Sequence, residues 1–234
     1  MRLRLESRAA GEVLIVQCYG RIIAGNEVLT LHAFVGDSIA KYGDIVLQLD
    51  QVEFIDSSGL GALVRLMREA RTKGGDLKLA QVPPKILKTL EMTHLLSQFE
   101  HYETVEEAIT AAYLGSRYSR GKTGDERPRV LCIYESSDVC TFLREVLCGA
   151  GYNALTTVSL DDARILLKAT KAKLVLVSAR MQSAYGKPTR KALQEIDPAV
   201  SLVVLDEDFA TQDPGEAAEK VLGIIGSQSP ATTS

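Results

Sequence analysis

This sequence predicts an α/β chain in two small domains, and three observations lead there. Strand-like and helix-like patterns alternate through both halves. The alternation breaks once, at SRYSRGKTGDERPR (116–129), which has no apolar periodicity and carries five basic and two acidic residues. The 234 residues are 46% hydrophobic and 24% charged, enough apolar material for two cores. The expected division is a first domain at 1–115, a linker at 116–128, a second domain at 129–228 and a disordered tail at 229–234. The first domain is expected to be a mixed sheet with helices, the second a parallel sheet.

In the first half, RLRLESR and VLIVQCYG read as two strands joined around Gly11. A helix is expected from Asn26 to Lys41 with Val28, Leu29, Leu31 and Phe34 on its inner side. DIVLQLDQV is nearly continuous and β-branched, as a central buried strand should be. From Ser57 to Lys73 the residues Leu60, Leu63, Val64 and Met67 fall at helical spacing, and Gly74-Gly75 ends the run. DLKLAQV is a strand, Pro83-Pro84 opens a short helix, FEHYETV is a last strand and VEEAITAAYL a last helix.

In the second half, RVLCIY is a strand, and Val139, Phe142, Leu143 and Val146 mark a helix face. Gly151-Tyr152 leads into the strand NALTTV. Ser159 with Asp162 resembles a capping box that opens DDARILLKAT. KLVLVS is a buried strand, PTRKALQEI a helix, SLVVL a strand and PGEAAEKVLGII the last helix. Strands joined by helical crossovers imply a parallel sheet.

A net charge of −3 and a pI near 5.7 leave no nucleic-acid footprint. The start MRLRLESRAAGE is too charged for a signal peptide, and no apolar run approaches the roughly 18 to 20 residues that span a bilayer. A soluble, cytoplasmic protein is expected. Cys18, Cys132, Cys140 and Cys148 match no zinc spacing and read as structural thiols. Cys140 and Cys148 are about 12 Å apart along one helix, too far for a disulfide. No cofactor and no metal are expected.

The chemistry concentrates at FIDSSGLGALV, residues 54–64. An apolar strand ends in Asp56, and Ser57 and Ser58 then stand at the start of a helix. A phosphate there would meet free backbone N–H groups and the positive end of the helix dipole. It would also lie beside Asp56, with Asp50 as a second neighbour, and so change the local field sharply. The structural alternative is that Asp56 or a serine caps the helix while Gly59 and Gly61 permit close packing on the sheet.

The runs VLIVQCYGRI, IVLQLDQVEFIDSSGLGALVRLMREARTKGGDLKLAQV and ILKTLEMTHLLSQFEHYETVEEAI together resemble a STAS domain over residues 2–115. Among STAS domains the chain resembles the bacterial anti-sigma factor antagonists. In that family the serine directly after the aspartate is phosphorylated by an anti-sigma factor that is also a kinase. The resemblance puts Ser57 at that position, with Ser58 as the fallback acceptor. It implies that the unphosphorylated chain binds the anti-sigma factor/serine kinase and that phosphorylation releases it. The partner-binding residues are expected to be Asp56, Ser57, Ser58, Gly59 and Leu60, with Arg21. One departure stands out: where the family often has an aspartate, the run Gly20-Arg21-Ile22-Ile23 holds Ile23. A phosphatase is a further implied partner.

The second half resembles a response-regulator receiver, a flavodoxin-like fold, with its chemistry missing. The acidic pair after the first strand reads Glu135 and Ser136. The phosphoacceptor position holds Ser178, and Asp206 replaces the hydroxyl residue after the fourth strand. A fifth strand and its lysine are absent. A single carboxylate in place of three makes Mg²⁺ and acyl-phosphate chemistry untenable. A pseudo-receiver used for docking or homodimerisation is the expectation, and Asp206, Glu207 and Asp208 read as a solvated acidic loop.

Two other readings compete. One is a STAS scaffold in a signalling or transport assembly, never phosphorylated. The other is a serine hydrolase, but SSGLG lacks the first glycine of a nucleophile elbow. His32 and His94 fall among helical residues and His101 on a strand, none in a triad pattern. No Gly-x-x-x-x-Gly-Lys loop occurs. The chain is expected to be no enzyme, and its kinase partner supplies the ATP chemistry.

Overall fold

The computed structural model describes residues 2–119, 127–183 and 189–228. The tail expected at 229–234 and most of the expected linker lie outside them. The chain divides into two compact units, residues 1–124 and 125–234.

In the first unit, strands β1 (Arg4–Ala10) and β2 (Val13–Ile22) form an antiparallel hairpin. Gly11 at φ 62 makes its tight reversal at little steric cost. Strand β3 (Asp44–Ile55) pairs parallel with β2, and β4 (Leu77–Ala80) pairs parallel with β3. β5 (His101–Tyr102) adds only two residues at the edge, shorter than FEHYETV suggests. The result is a mixed sheet in the order β5-β4-β3-β2-β1, with β3 in the middle.

Helices α1 (Asn26–Tyr42), α2 (Ser57–Thr72) and α3 (Pro84–Met92) bury their apolar stripes with alternate side chains of β2 and β3 in one core. Helix α4 (Val105–Ser119) packs against β3 and β4 and buries Ala108, Ile109 and Ala112. It continues past residue 115, beyond the boundary that composition suggests for the linker. The Tyr113 hydroxyl donates to the Ala10 carbonyl at 2.9 Å and accepts from the Glu12 N–H at 2.9 Å, tying α4 to the hairpin turn.

Several expected details differ. On α1 the inner stripe is Leu31, Val35 and Ile39, spaced four apart. Leu29 lies roughly 200° around the helix from Leu31 and is 67% exposed, and Phe34 is also exposed. His94 is not helical. It adopts φ 56 just past α3, in a left-handed turn whose next residue, Leu95, donates its N–H to Leu90 and closes the helix end. Gly61 faces open space, so of the two glycines only Gly59 serves close packing.

The second unit holds β6 (Arg129–Ile133), β7 (Asn153–Thr157), β8 (Leu174–Ser178) and β9 (Ser201–Leu205), all parallel in the order β7-β6-β8-β9. Helices α5 (Ser137–Gly149), α6 (Leu160–Thr170), α7 (Ala179–Ser183), α8 (Thr189–Gln194) and α9 (Pro214–Gln228) connect and follow them. Ser136 caps α5, and Ser159 caps α6 by accepting from the Asp162 N–H at 3.3 Å. Cys132 and Cys140 are buried here, as Cys18 is in the first unit, while Cys148 is exposed. All four are free thiols.

Candidate functional site

The site forms where β2, β3 and α2 meet. β3 ends at Ile55, and Asp56 takes an extended conformation, φ −92 and ψ −179, before the chain turns into α2. Its backbone N–H donates to the Ile22 carbonyl at 3.2 Å, fixing the turn to the end of β2. Both oxygens of its carboxylate are engaged: Oδ1 accepts from the Gly59 N–H at 2.8 Å and Oδ2 from the Ala24 N–H at 2.9 Å. Asp56 is therefore the N-cap of α2, and it also staples the loop before α1 to the start of α2. The Ala24 and Gly59 N–H groups, with lesser help from Ser58 and from the charge of Arg21, hold its carboxyl below the usual carboxylate range.

With the cap supplied by Asp56, neither serine is needed for it. Ser57 and Ser58 are exposed, and their hydroxyls make no hydrogen bond among the described residues. Gly59 and Leu60 turn inward. Leu60 joins the core, and a Cβ on Gly59 would sit 2.3 Å from the Ile22 carbonyl oxygen and 2.8 Å from Ile55 Cγ2. The outward surface of DSSGL is thus the serine pair with the edge of Asp56.

Two electrostatic expectations change. Asp56 already takes the Gly59 N–H at the start of α2, so a phosphate on Ser57 would compete with that carboxylate there. It would add charge next to a carboxylate held ionised. Asp50 is not a neighbour either. It lies six residues back along β3, about 20 Å away at strand rise, and its charge acts on Cys18 and Tyr19 instead.

Arg21 is exposed at the end of β2. The β2–β3 register shifts twice, between Gln17 and Tyr19 and between Gly20 and Arg21, and so places Arg21 opposite Phe54. The guanidinium lies 5.3 Å from the Phe54 ring centroid. Ile23, which stands where the resemblance leads one to expect an aspartate, is half-buried. Phe54 carries no signal in the sequence, because only the strand register brings it to Arg21.

In the second unit, Ser178 is buried at the end of β8. It donates to Glu135 Oε2 at 2.5 Å, and its oxygen accepts from the Met181 N–H at 3.1 Å, starting α7. Asp206 accepts from Lys220 of α9. Among the described residues no group of three or more His, Cys, Asp or Glu side chains is placed to hold a metal ion. No helix of those residues is long and apolar enough to cross a membrane.

The family model described as the STAS domain matches residues 4–108. The anti-sigma F factor antagonist of Paenibacillus polymyxa is 33% identical over 111 residues, which cover 47% of this chain and 95% of that protein. Among solved structures, the Bacillus cell fate determinant SpoIIAA in its phosphorylated form is 25% identical, covering 46% of this chain and 96% of its own, with a TM-score of 0.38. An anti-sigma factor antagonist from Mycobacterium paratuberculosis is 23% identical, covering 47% and 93%, with a TM-score of 0.42.

Proposed function

The chain belongs, through its first half, to the STAS-domain family of anti-sigma factor antagonists, and from that premise we propose that it is a binding protein switched by phosphorylation of Ser57. In this reading it engages an anti-sigma factor that is also a serine kinase. Phosphate on Ser57 then ends the complex.

One observation carries the reading. Asp56 caps α2, which leaves the Ser57 hydroxyl exposed at the helix start and without a hydrogen bond among the described residues. A serine with a structural duty would be bonded or buried, whereas this one is accessible to a kinase. The same geometry supports the direction of the switch. A phosphate brings nearly two negative charges beside an ionised Asp56 whose N–H donors are already used. A partner packed on this edge then meets repulsion and a desolvation cost.

The second unit fits a supporting role as a pseudo-receiver, and its strand order β7-β6-β8-β9 favours that reading. At the position of a phosphoaccepting aspartate Ser178 is buried and bonded to Glu135, and Asp206 is tied to Lys220. These groups serve local structure, and the unit supplies a docking or dimer surface.

The test uses the full chain as bait in lysate of its native cells, as wild type, Ser57→Ala and Ser57→Asp. An ATP-binding anti-sigma kinase should be held by the first two and lost from the third. Equal capture by all three baits would sink the switch and leave a constitutive scaffold.

A further inference from the structure

Phe54 lies on β3 three residues before Ser57, yet this large aromatic is 38% exposed. Two cations from different elements converge on it: the Arg21 guanidinium from β2 at 5.3 Å from its centroid, and the Lys85 ammonium from the first turn of α3 at 5.8 Å. Neither cation is in an ion pair among the described residues. Asp56, whose charge acts on Arg21, spends both carboxylate oxygens on backbone N–H groups and does not bridge to it. In a chain of net charge −3 this is a local positive surface built around an exposed ring.

We infer that Arg21, Phe54 and Lys85 form a docking site for an acidic, partly apolar segment of a protein partner, with carboxylates on the two cations and an apolar side chain against the ring. Charge complementarity selects that occupant, since a basic segment would be repelled and a neutral one would leave the cations unpaired. The inference rests on the Ser57 reading and gives it a physical cause. Repulsion by a phosphate requires negative charge on the facing surface, and the segment drawn to Arg21 and Lys85 brings that charge within reach of Ser57.

The probe is a short fluorescein-labelled peptide of alternating glutamate and leucine, titrated into the full chain and followed by anisotropy and by backbone and side-chain NMR. The control peptide carries glutamine in place of glutamate. The glutamate peptide should bind, move the signals of Arg21, Phe54 and Lys85, and weaken as salt rises. The double variant Arg21→Glu/Lys85→Glu should weaken it about tenfold. Arg21→Gln/Lys85→Gln, a milder change, should weaken it in the same direction should charge reversal disturb the fold.

Equal binding of the glutamine peptide, or undiminished binding to both double variants, overturns the inference. It is also overturned if heparin moves these signals and the peptide does not, which would mark a general polyanion surface. Concentration-dependent shifts of the same residues without any peptide would mark a second copy as the occupant and overturn it as well. The two proposals fail separately. Peptide binding that depends on Arg21 and Lys85, together with equal kinase capture by wild type and Ser57→Asp, removes the switch and keeps the docking site. A kinase released by Ser57→Asp yet held by the double variants does the reverse.

Discussion

Substituting Gly59 by alanine tests how the start of α2 is held against β2. An ideal Cβ at this position lies 2.3 Å from the Ile22 carbonyl oxygen and 2.8 Å from Ile55 Cγ2. The oxygen is backbone and already accepts the Asp56 N–H, so it cannot swing aside as a side chain could. Helix α2 must lift from β2 by several tenths of an ångström or more. Overpacking of this kind costs about 2–3 kcal/mol, and the better helix propensity of alanine returns at most about 1 kcal/mol. A net loss of about 1–2 kcal/mol follows, or roughly 0.5–1 M in the urea midpoint for a slope near 2 kcal/mol/M. Gly61→Ala is the internal control. Nothing lies within 4 Å of its Cβ, so it should gain about 0.5–1 kcal/mol. Urea titrations followed through backbone amide signals of α2 report on this unit specifically. A Gly59→Ala protein as stable as wild type, or a Gly61→Ala protein less stable than it, would refute the packing argument.

Other outcomes follow from the same geometry. Asp56→Ala should cost about 1–2 kcal/mol, the upper part of the range for a lost cap, because two backbone N–H groups lose their acceptor. The pH dependence has a definite sign. The folded-state pKa of Asp56 is depressed, so its contribution is complete above the ordinary carboxylate value of about 3.9 and is lost as pH falls through the lower folded value. Urea midpoints of wild type and Asp56→Asn should therefore converge on acidification, and a gap independent of pH would contradict the assignment. In thiol labelling of the folded chain, only Cys148 should react promptly. Burial pushes Cys140 up to about 11, Cys18 up to about 12 and Cys132 higher still, so these three should wait for unfolding. Prompt labelling of a second thiol would overturn that order.

Much of this is legible in the residues. The order of strands and helices follows from periodicity, and the break from strand to helix at Asp56 follows from an apolar run meeting Ser-Ser-Gly. What escapes depends on distance through space. Leu29, Leu31 and Phe34 are equally apolar, and only the docked phase of α1 decides that Leu31 is the buried one. Gly59 and Gly61 look alike in sequence, and the approach of Ile22 and Ile55 to Gly59 separates them. Capping by Asp56 and capping by a serine are equivalent in sequence until the Ala24 N–H claims the second carboxylate oxygen. Tyr113 bonds across more than a hundred residues to the hairpin turn, a contact no local pattern encodes. The convergence of Arg21 and Lys85 on Phe54 likewise depends on strand register and helix placement.

The central claim is that Ser57, free of structural duty, carries the regulatory phosphate. The most direct measurement is tandem mass spectrometry of the full chain after incubation with the captured kinase and ATP, paired with the affinity of the phosphorylated product for that kinase. Phosphate on Ser57, absent from the Ser57→Ala protein and accompanied by loss of binding, is the expected result. Phosphate confined to Ser58 or to another residue, or a Ser57 phosphate that leaves binding intact, would contradict the account.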